Sequence, residues 1–205
     1  MSASNSTKED LMQEQILTAA KGLFQLYGLA KVTMDDVAKA IGKGRSSLYY
    51  YYKSKDEIFD AVIMIEIREM LLAMTNAVDR VSGVEQKFRV FFLTKLEVLH
   101  EKRAFFKMLD VGMDANTLSD FNKTKIVHHH LIIRQESKLL EALLTEGMDK
   151  GEVRNMSASE LEMLIYVLLS CLRGLKRELD LDNDAQRLVS AVDMFTHMAM
   201  RGLYK

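Results

Sequence analysis

Proline is missing altogether from this sequence of 205 residues, and cysteine occurs only once. Average usage would supply about ten prolines to a chain of this length. Because proline breaks the interior of a helix, its absence permits a chain that is helical along nearly its whole length. The single cysteine, Cys171, excludes an intramolecular disulfide, and we expect a reducing, cytoplasmic setting for the protein.

Long hydrophobic runs are missing as well. The longest, Met163–Leu172, is about half of the ~20 residues that a membrane-spanning helix needs, so it indicates a buried helix and we expect no membrane partner. The polar start of the chain lacks the apolar segment of a signal peptide. Hydrophobic residues make up 48% and charged residues 28%, a balance typical of a folded globular protein.

Apolar residues recur throughout at helical spacing, and no segment alternates in the manner of a strand. We therefore predict an all-α chain of nine helices, with residues 1–7 as a flexible tail. Glycines and capping boxes give the approximate bounds, which are Lys8–Tyr27, Met34–Ile41, Arg45–Tyr51, Ser54–Val78, Val84–His100, Arg103–Gly112, Leu118–Lys150, Ser157–Leu179 and Asp184–Gly202.

The most informative segment lies between residues 31 and 55. Thr33 can cap a short helix, and a second short helix starts at Arg45 after a turn that contains Gly42. Two short helices around a glycine turn are typical of a helix-turn-helix unit. The same segment carries six basic residues and two acidic ones, whereas the whole chain has a net charge of −1. A local basic face of this kind suits contact with phosphates.

Residues 33–59, with the sequence TMDDVAKAIGKGRSSLYYYYKSKDEIF, resemble the DNA-binding head of the TetR family of bacterial transcription regulators. The matching positions are Val37, Ala38, Gly42, Leu48, Tyr49, Tyr52, Lys53, Ser54, Lys55, Ile58 and Phe59. Gly44 stands where the family often has a serine that touches phosphate, and Tyr51 and Tyr52 replace the usual histidine and phenylalanine. These departures can alter the DNA sequence that is read, but they leave the geometry of the motif intact.

The resemblance implies two domains, a helix-turn-helix head over residues 8–55 and a ligand-sensing and dimerisation domain over residues 56–205. It also implies a homodimer that binds a palindromic DNA operator. The N-terminal residues of the second helix of such a motif face base edges, where arginine pairs with guanine. Hydroxyl groups, the N-termini of helices and lysine side chains bind the phosphates. The predicted DNA-binding residues are Thr33, Gly44, Arg45, Ser46, Ser47, Tyr49, Tyr50, Tyr51 and Lys55.

The remaining helices supply candidates for a ligand pocket and a dimer interface. The middle of the chain is rich in phenylalanine and methionine, and by the resemblance it encloses a pocket for a small, largely apolar ligand. The candidate pocket residues are Phe92, Phe106, His129 and Tyr166. The last two helices are apolar on more than one face, which fits half of an intersubunit four-helix bundle. The candidate interface residues are Leu168, Leu172, Leu188, Val192 and Phe195.

Signatures of catalysis are missing: the sequence has no nucleophile elbow and no phosphate-cradling glycine loop, so we expect no enzyme. Three consecutive histidines, residues 128–130, point about 100° apart on a helix and cannot face one metal ion. We therefore predict a DNA-binding transcription regulator, a repressor released by a small ligand, without metal or cofactor. Two alternatives stay open: a DNA-binding protein of the same fold without an inducer, and a helical enzyme or lipid carrier with an incidental helix-turn-helix.

Overall fold

A computed structural model describes residues 2–182 and 186–204. The regular structure of these residues is helical and includes no strand, so the predicted all-α class is confirmed. The described helices are α1 (Ser2–Tyr27), α2 (Met34–Ala40), α3 (Arg45–Tyr51), α4 (Lys55–Asp79), α5 (Val84–Glu101), α6 (Arg103–Met108), α7 (Ala115–Asp149), α8 (Ala158–Asp182) and α9 (Gln186–Arg201). None of them is both long and apolar enough to cross a membrane.

The two ends of the helical chain differ from the predicted bounds. The backbone is helical from Ser2, before the expected start of the first helix at Lys8. No glycine or proline interrupts this polar start, so nothing in the backbone chemistry stops the helix there. The expected start of the last helix, Asp184, lies outside the described residues, and α9 is described from Gln186.

The connection between α6 and α7 also differs from the prediction. α6 ends at Met108 instead of Gly112, and the carbonyl of the next residue, Leu109, accepts a hydrogen bond from the backbone N–H of Leu29 at 3.3 Å. α7 begins at Ala115 because the carboxylate of Asp114 accepts hydrogen bonds of 3.0 and 2.9 Å from the N–H groups of the first helical turn. An aspartate in this position is a strong N-cap.

The chain packs as two compact units. Unit 1 contains the chain up to Arg68 together with Lys102–His128, and unit 2 contains Glu69–Glu101 and the chain from His129 onward. Unit 1 therefore holds the whole predicted head and, in addition, α6 and the first parts of α4 and α7. These two long helices continue from unit 1 into unit 2. The functional division at residue 55 stays a prediction.

Unit 1 closes around α1. Ile16, Ala20 and Phe24 recur every four residues on one face of this helix and are fully buried. The ring of Phe24 meets Phe59 of α4 at 6.1 Å between centroids, and Phe59 meets Phe121 of α7 at 5.6 Å. Aromatic pairs at these distances add to the burial that joins the three helices.

A buried carboxylate connects three elements of the same unit. Glu66 of α4 has 3% of its side chain exposed, and it accepts a hydrogen bond from Lys21 of α1. The ammonium of Lys102, at the start of α6, lies 2.7 Å from its other oxygen. Burial acts to raise the pKa of Glu66, but the hydrogen bonds and charges of Lys102 and Lys21 together hold it below its ordinary value.

The core of unit 2 is built on the phenylalanines of α5. Phe88, Phe91 and Phe92 have no exposed surface. The ring of Phe92 lies 5.5 Å from Phe88, 5.4 Å from Phe91 and 4.9 Å from Phe195 of α9, measured between centroids. Full burial of such a side chain stabilises a fold by about 1.5–3 kcal/mol, and the contact between Phe92 and Phe195 joins α9 to this cluster.

One ion pair lies inside unit 2. The Nζ of Lys95 on α5 lies 2.7 Å from both carboxylate oxygens of Glu136 on α7, and the two side chains are 7% and 0% exposed. The geometry makes a hydrogen bond with Oε2 and leaves Oε1 without one among the described residues. Burial raises the pKa of Glu136 and lowers the pKa of Lys95. The attraction between the two charges opposes both shifts but only in part.

Candidate functional site

The first helix of the predicted motif, α2, is fixed at its N-terminus by a capping box. The Thr33 hydroxyl accepts the backbone N–H of Asp36 at 3.2 Å, and the Asp36 carboxylate accepts the backbone N–H and the hydroxyl of Thr33 at 2.9 and 2.7 Å. These hydrogen bonds lower the pKa of Asp36. Thr33 remains exposed at the helix N-terminus, a position that suits the predicted phosphate contact.

The turn between α2 and α3 depends on Gly42, whose φ of 66° is one that other residues rarely adopt. The N–H of Gly42 donates to the carbonyl of Lys39 at 3.0 Å, and that of Lys43 donates to the carbonyl of Ala38 at 2.9 Å, which closes the end of α2. Gly44 is then the N-cap of α3, with an extended backbone and no side chain to cap the helix. The N-terminus of α3 is therefore open for an external acceptor.

The helix α3 buries one side chain and exposes its first turn. Leu48 is fully buried, whereas Arg45, Ser46 and Ser47 are exposed. The buried leucine fixes the rotation of the helix about its own axis. As a result, the polar groups that precede it form one outward edge at the N-terminal end of the helix, where a recognition helix meets base edges.

Arg45 is held in this edge by weak surface contacts. Its Nη2 donates to the Tyr49 hydroxyl at 3.0 Å, and its Nη1 lies 3.4 Å from a carboxylate oxygen of Asp35. The hydrogen bond to Tyr49 and the charge of Asp35 raise the pKa of Arg45. Because the side chain is 60% exposed, such contacts stabilise little, and the guanidinium can exchange them for a base edge.

The tyrosines of α3 divide by exposure. Tyr50 is 68% exposed, and its hydroxyl donates to the Glu9 carboxylate at 3.4 Å. Tyr49 and Tyr51 are partly buried, and the ring of Tyr51 meets that of Tyr50 edge-on at 5.0 Å. Tyr52, at the end of the helix, is partly buried too, and burial raises its pKa. Only Tyr50 thus presents most of its ring to an approaching surface.

The two lysines at the borders of the motif have different surroundings. The ammonium of Lys55 donates to the carbonyls of Leu29 and Ala30 at 2.7 and 3.4 Å, and burial lowers its pKa. It therefore joins the start of α4 to the chain after α1. Lys43, in the turn, is exposed, and no partner of its ammonium is found among the described residues. Sequence reasoning did not select Lys43, although its charge in the turn was a usable signal.

The four predicted pocket residues do not come together. His129 and Tyr166 line a groove of about 720 Å³ between α7 and α8 in unit 2. Phe92 has no accessible surface, and a side chain without accessible surface lines no cavity; we therefore reassign it to the core. Phe106 is a partly buried residue of unit 1, where its ring meets that of Phe105 at 5.3 Å.

Four of the five predicted dimer residues lie in the chain's own core. Leu168, Leu172, Leu188 and Val192 are 0–7% exposed and have almost no surface left for a second chain to cover, so their assignment needs correction. Phe195 packs on Phe92 but is only partly buried, and its assignment stays a prediction. The exposed apolar side chains of α8 and α9 are on the other faces, at Met163, Tyr166, Val167, Leu181, Val189, Met194 and Met198.

The three consecutive histidines of α7 take different surroundings. His128 lies 3.4 Å from the Asp60 carboxylate in unit 1, and burial lowers its pKa. His129 and His130 line the groove of unit 2, with 6.0 Å between their ring centroids. Within the described part of the chain, no group of three or more histidine, cysteine or acidic side chains could hold a metal ion.

Comparison with known proteins finds relatives that are regulators. Residues 16–62 match the family described as bacterial regulatory proteins, tetR family. The uncharacterized HTH-type transcriptional regulator YvaF of Bacillus subtilis (strain 168) is 26% identical over 152 residues, which cover 71% of this chain and 73% of YvaF. The HTH-type transcriptional repressor KstR2 of Mycolicibacterium smegmatis is 22% identical over 142 residues, which cover 69% of this chain and 67% of KstR2.

A solved structure extends the likeness to nearly the whole fold. SmeT, the repressor of the Stenotrophomonas maltophilia multidrug efflux pump SmeDEF, superimposes with a TM-score of 0.67 over 94% of this chain and 90% of SmeT, at 16% identity. The matched segment contains the helix-turn-helix described above, and the relatives that align beyond it are described as transcription regulators. The chain is therefore similar to the bacterial regulatory proteins of the tetR family, in its DNA-binding segment by sequence and over nearly its whole length by fold.

Proposed function

We propose that this chain is a DNA-binding transcription regulator, a repressor whose homodimer occupies a palindromic operator and is released by a small ligand. The observation that carries the DNA-binding part is the exposed edge of α3 from Gly44 to Ser47, which is held outward by the buried Leu48. KstR2 and SmeT are described as repressors, which supports the same direction of regulation here.

The contacts with DNA divide into two classes. Arg45, Ser46 and Ser47 read base edges, because they form the N-terminal edge of α3. The contacts with phosphates are assigned to Thr33, the backbone N–H groups after Gly44, and Tyr49, Tyr50 and Tyr51. Lys55 contributes its charge, but its ammonium is engaged with carbonyl groups, so we assign a phosphate contact to the exposed Lys43 of the turn.

The DNA assignment is tested on a site selected from random duplexes with the wild-type protein. Arg45→Ala should cost about 1–3 kcal/mol of binding and relax the preference at one base position. Lys43→Ala should weaken binding to all sequences alike and flatten the salt dependence by about one unit. Arg80→Ala, which removes an exposed charge of unit 2, is the control and should change neither quantity. Unchanged binding in both head variants would refute the assignment of α3.

The proposed dimer uses the exposed faces of α8 and α9. Met163 and Val167 stand one turn apart on α8, and Met194 and Met198 stand one turn apart on α9; each is at least 46% exposed. Exposed large apolar residues at such spacing form a stripe that a second copy covers in a four-helix bundle. Two heads are also needed to reach half-sites about 34–36 Å apart.

Charge in this stripe tests the interface. Val167→Glu or Met198→Glu should give a monomer by light scattering, and the monomer should lose operator affinity. Leu72→Glu, at another exposed apolar position of unit 2, should leave the dimer intact. A wild-type protein that is monomeric at micromolar concentration would contradict the dimer proposal, whatever the variants show.

Release by a ligand requires a difference in affinity between two arrangements of the protein. α4 and α7 are the helices that continue from unit 2 into unit 1, and in unit 1 they meet through Phe59 and Phe121. We assign them as the route by which a ligand held in unit 2 changes the head. Coupling free energies between two such sites in proteins are typically about 1–3 kcal/mol.

The direction of regulation is tested with a reporter gene behind the selected site. A repressor lowers expression in the presence of the wild-type chain, and Arg45→Ala restores it. Increased expression with the wild-type chain would instead identify an activator. This outcome would leave the DNA-binding assignment unaffected.

A further inference from the structure

The groove between α7 and α8 in unit 2 combines apolar walls with an uneven distribution of charge. Its lining residues recur at one-turn spacing on the two helices and enclose about 720 Å³, within the usual range for small-molecule sites. The apolar part consists of Ile133 on α7 and of Leu161, Ile165 and Leu169 on α8, all buried or partly buried. An alkyl chain is the natural occupant of such a surface.

Positive charge accumulates around Arg173. This partly buried arginine lines the groove and donates from Nη2 to the Ser170 hydroxyl at 2.7 Å. His129 lines the groove as well, and burial, followed by the charge of Arg173, lowers its pKa.

The buried ion pair of unit 2 does not neutralise this charge. Glu136 is engaged with Lys95 at 2.7 Å, and among the described residues no hydrogen bond or ion pair joins it to Arg173. The charge of Arg173 acts to lower the pKa of Glu136 but is not paired with this carboxylate.

The rest of the groove is balanced in charge. Arg134 and Lys138 on α7 are accompanied by Glu141 on the same helix and Glu162 on α8. The uncompensated positive charge therefore lies beside Arg173. A ligand that matches both the apolar wall of the groove and the positive charge of Arg173 needs an apolar chain and one anionic group.

We propose that this groove binds an amphipathic carboxylate, with its anionic group on Arg173 and His129 and its alkyl chain along Ile133, Ile165 and Leu169. The proposal names the ligand class of the release mechanism above and rests on that proposed function. It adds an anionic group to the small, largely apolar ligand expected from the sequence.

Calorimetry on the full chain tests the site, with laurate as the probe and dodecanol as the uncharged probe of equal length. Laurate should bind, and Arg173→Gln should weaken it at least about tenfold, the loss expected for a charge-assisted hydrogen bond. Dodecanol affinity should change less than about twofold. Arg173→Lys should retain most laurate affinity, and Arg80→Gln should retain all of it. If Arg173→Gln does not fold, His129→Gln serves in its place with the same expected difference between the probes.

Several outcomes would overturn this site. The site is wrong if laurate does not bind, or if the protein binds laurate and dodecanol with equal affinity. It is also wrong if Arg173→Gln loses the affinity for both probes equally. If Arg173→Gln converts the protein to a monomer, the groove belongs to the subunit interface instead. Operator affinity is measured separately, with and without laurate. Arg173-dependent binding that leaves operator affinity unchanged would support the site while contradicting release by this ligand class, so the two proposals fail separately.

Discussion

Glu66 in unit 1 and Glu136 in unit 2 are both almost completely buried, yet their surroundings differ. Glu66 meets two ammonium groups, from Lys21 and Lys102, and its pKa lies below the ordinary value. Among the residues that the structure describes, Glu136 is engaged directly with Lys95, and burial raises its pKa. The same residue type is thus stabilised as an anion in one unit and disfavoured as an anion in the other.

The difference follows from the elements that meet at each carboxylate. Around Glu66, three elements of unit 1 each contribute a charged side chain, and Lys21 and Lys102 keep 38% and 21% of their side chains exposed. Around Glu136, the pair is shut between α5 and α7, beside the phenylalanine core. The junction in unit 1 is therefore held by a buried carboxylate between two partly exposed lysines, whereas unit 2 contains an enclosed charge pair that an apolar pair could replace.

Removal of one partner from the enclosed pair should give the largest effect. Lys95→Met leaves the Glu136 carboxylate buried without its partner, and we expect a loss of about 3–5 kcal/mol in the free energy of unfolding at pH 7. Urea unfolding followed by far-UV circular dichroism measures it at fixed protein concentration. The double variant Lys95→Met/Glu136→Leu should recover most of the loss, because no charge remains buried.

Lys87→Met is the matched control for this prediction. Lys87 lies two turns earlier on α5 and binds Glu146, whose carboxylate is 39% exposed and whose pKa is lowered to about 2 by Lys150 and Lys87. Glu146 keeps Lys150 when Lys87 is removed, so the loss should be much smaller. A similar loss in both variants would show that the enclosed pair has no special cost.

A smaller effect is expected at the junction of unit 1. Glu66→Gln keeps the shape of the side chain but leaves two lysines without their anion, and we expect a loss of about 1–3 kcal/mol. The exposure of Lys21 and Lys102 lets water compensate them in part. The same urea titration measures the loss, and Glu14→Gln, an exposed carboxylate of α1, is the control. If Glu66→Gln and Glu14→Gln lose the same free energy of unfolding, the proposed stabilising role of Glu66 between the two lysines is wrong.

Local signals in the sequence predicted the helices and the motif because they act over a few residues. The Ser157–Glu160 capping box forms in both directions, with the backbone N–H of Glu160 on the Ser157 hydroxyl at 3.3 Å and the backbone N–H of Ser157 on the Glu160 carboxylate at 2.9 Å. Gly42 and Thr33 likewise act within their own turns. Neither buried carboxylate was predicted, since Lys95 and Glu136 are 41 positions apart in the chain.

The interface residues could not be chosen from the sequence for a related reason. α8 is apolar on two faces, and periodicity reports both without saying which one the chain itself covers. The face with Leu168 and Leu172 is used by the core, and the face with Met163 and Val167 is left exposed.

The smallest and most specific effect should be the opposite pH dependence of the two carboxylates. Both have an ordinary pKa of 4.5. The lowered pKa of folded Glu66 means that its contribution to stability is present above pH 4.5 and is lost as the pH falls through the folded value. The difference in the free energy of unfolding between wild type and Glu66→Gln should therefore decrease as the pH is lowered.

The raised pKa of folded Glu136 means that its contribution to stability is present below pH 4.5 and is lost as the pH rises through the folded value. Lys95→Met should thus gain stability relative to Lys95→Met/Glu136→Gln as the pH is lowered, because the lone carboxylate is protonated. Unfolding titrations between neutral pH and pH 3 measure both differences. The two comparisons are wild type against Glu66→Gln, and Lys95→Met against Lys95→Met/Glu136→Gln. If both differences in the free energy of unfolding change in the same direction with pH, the distinction between the two carboxylates is wrong.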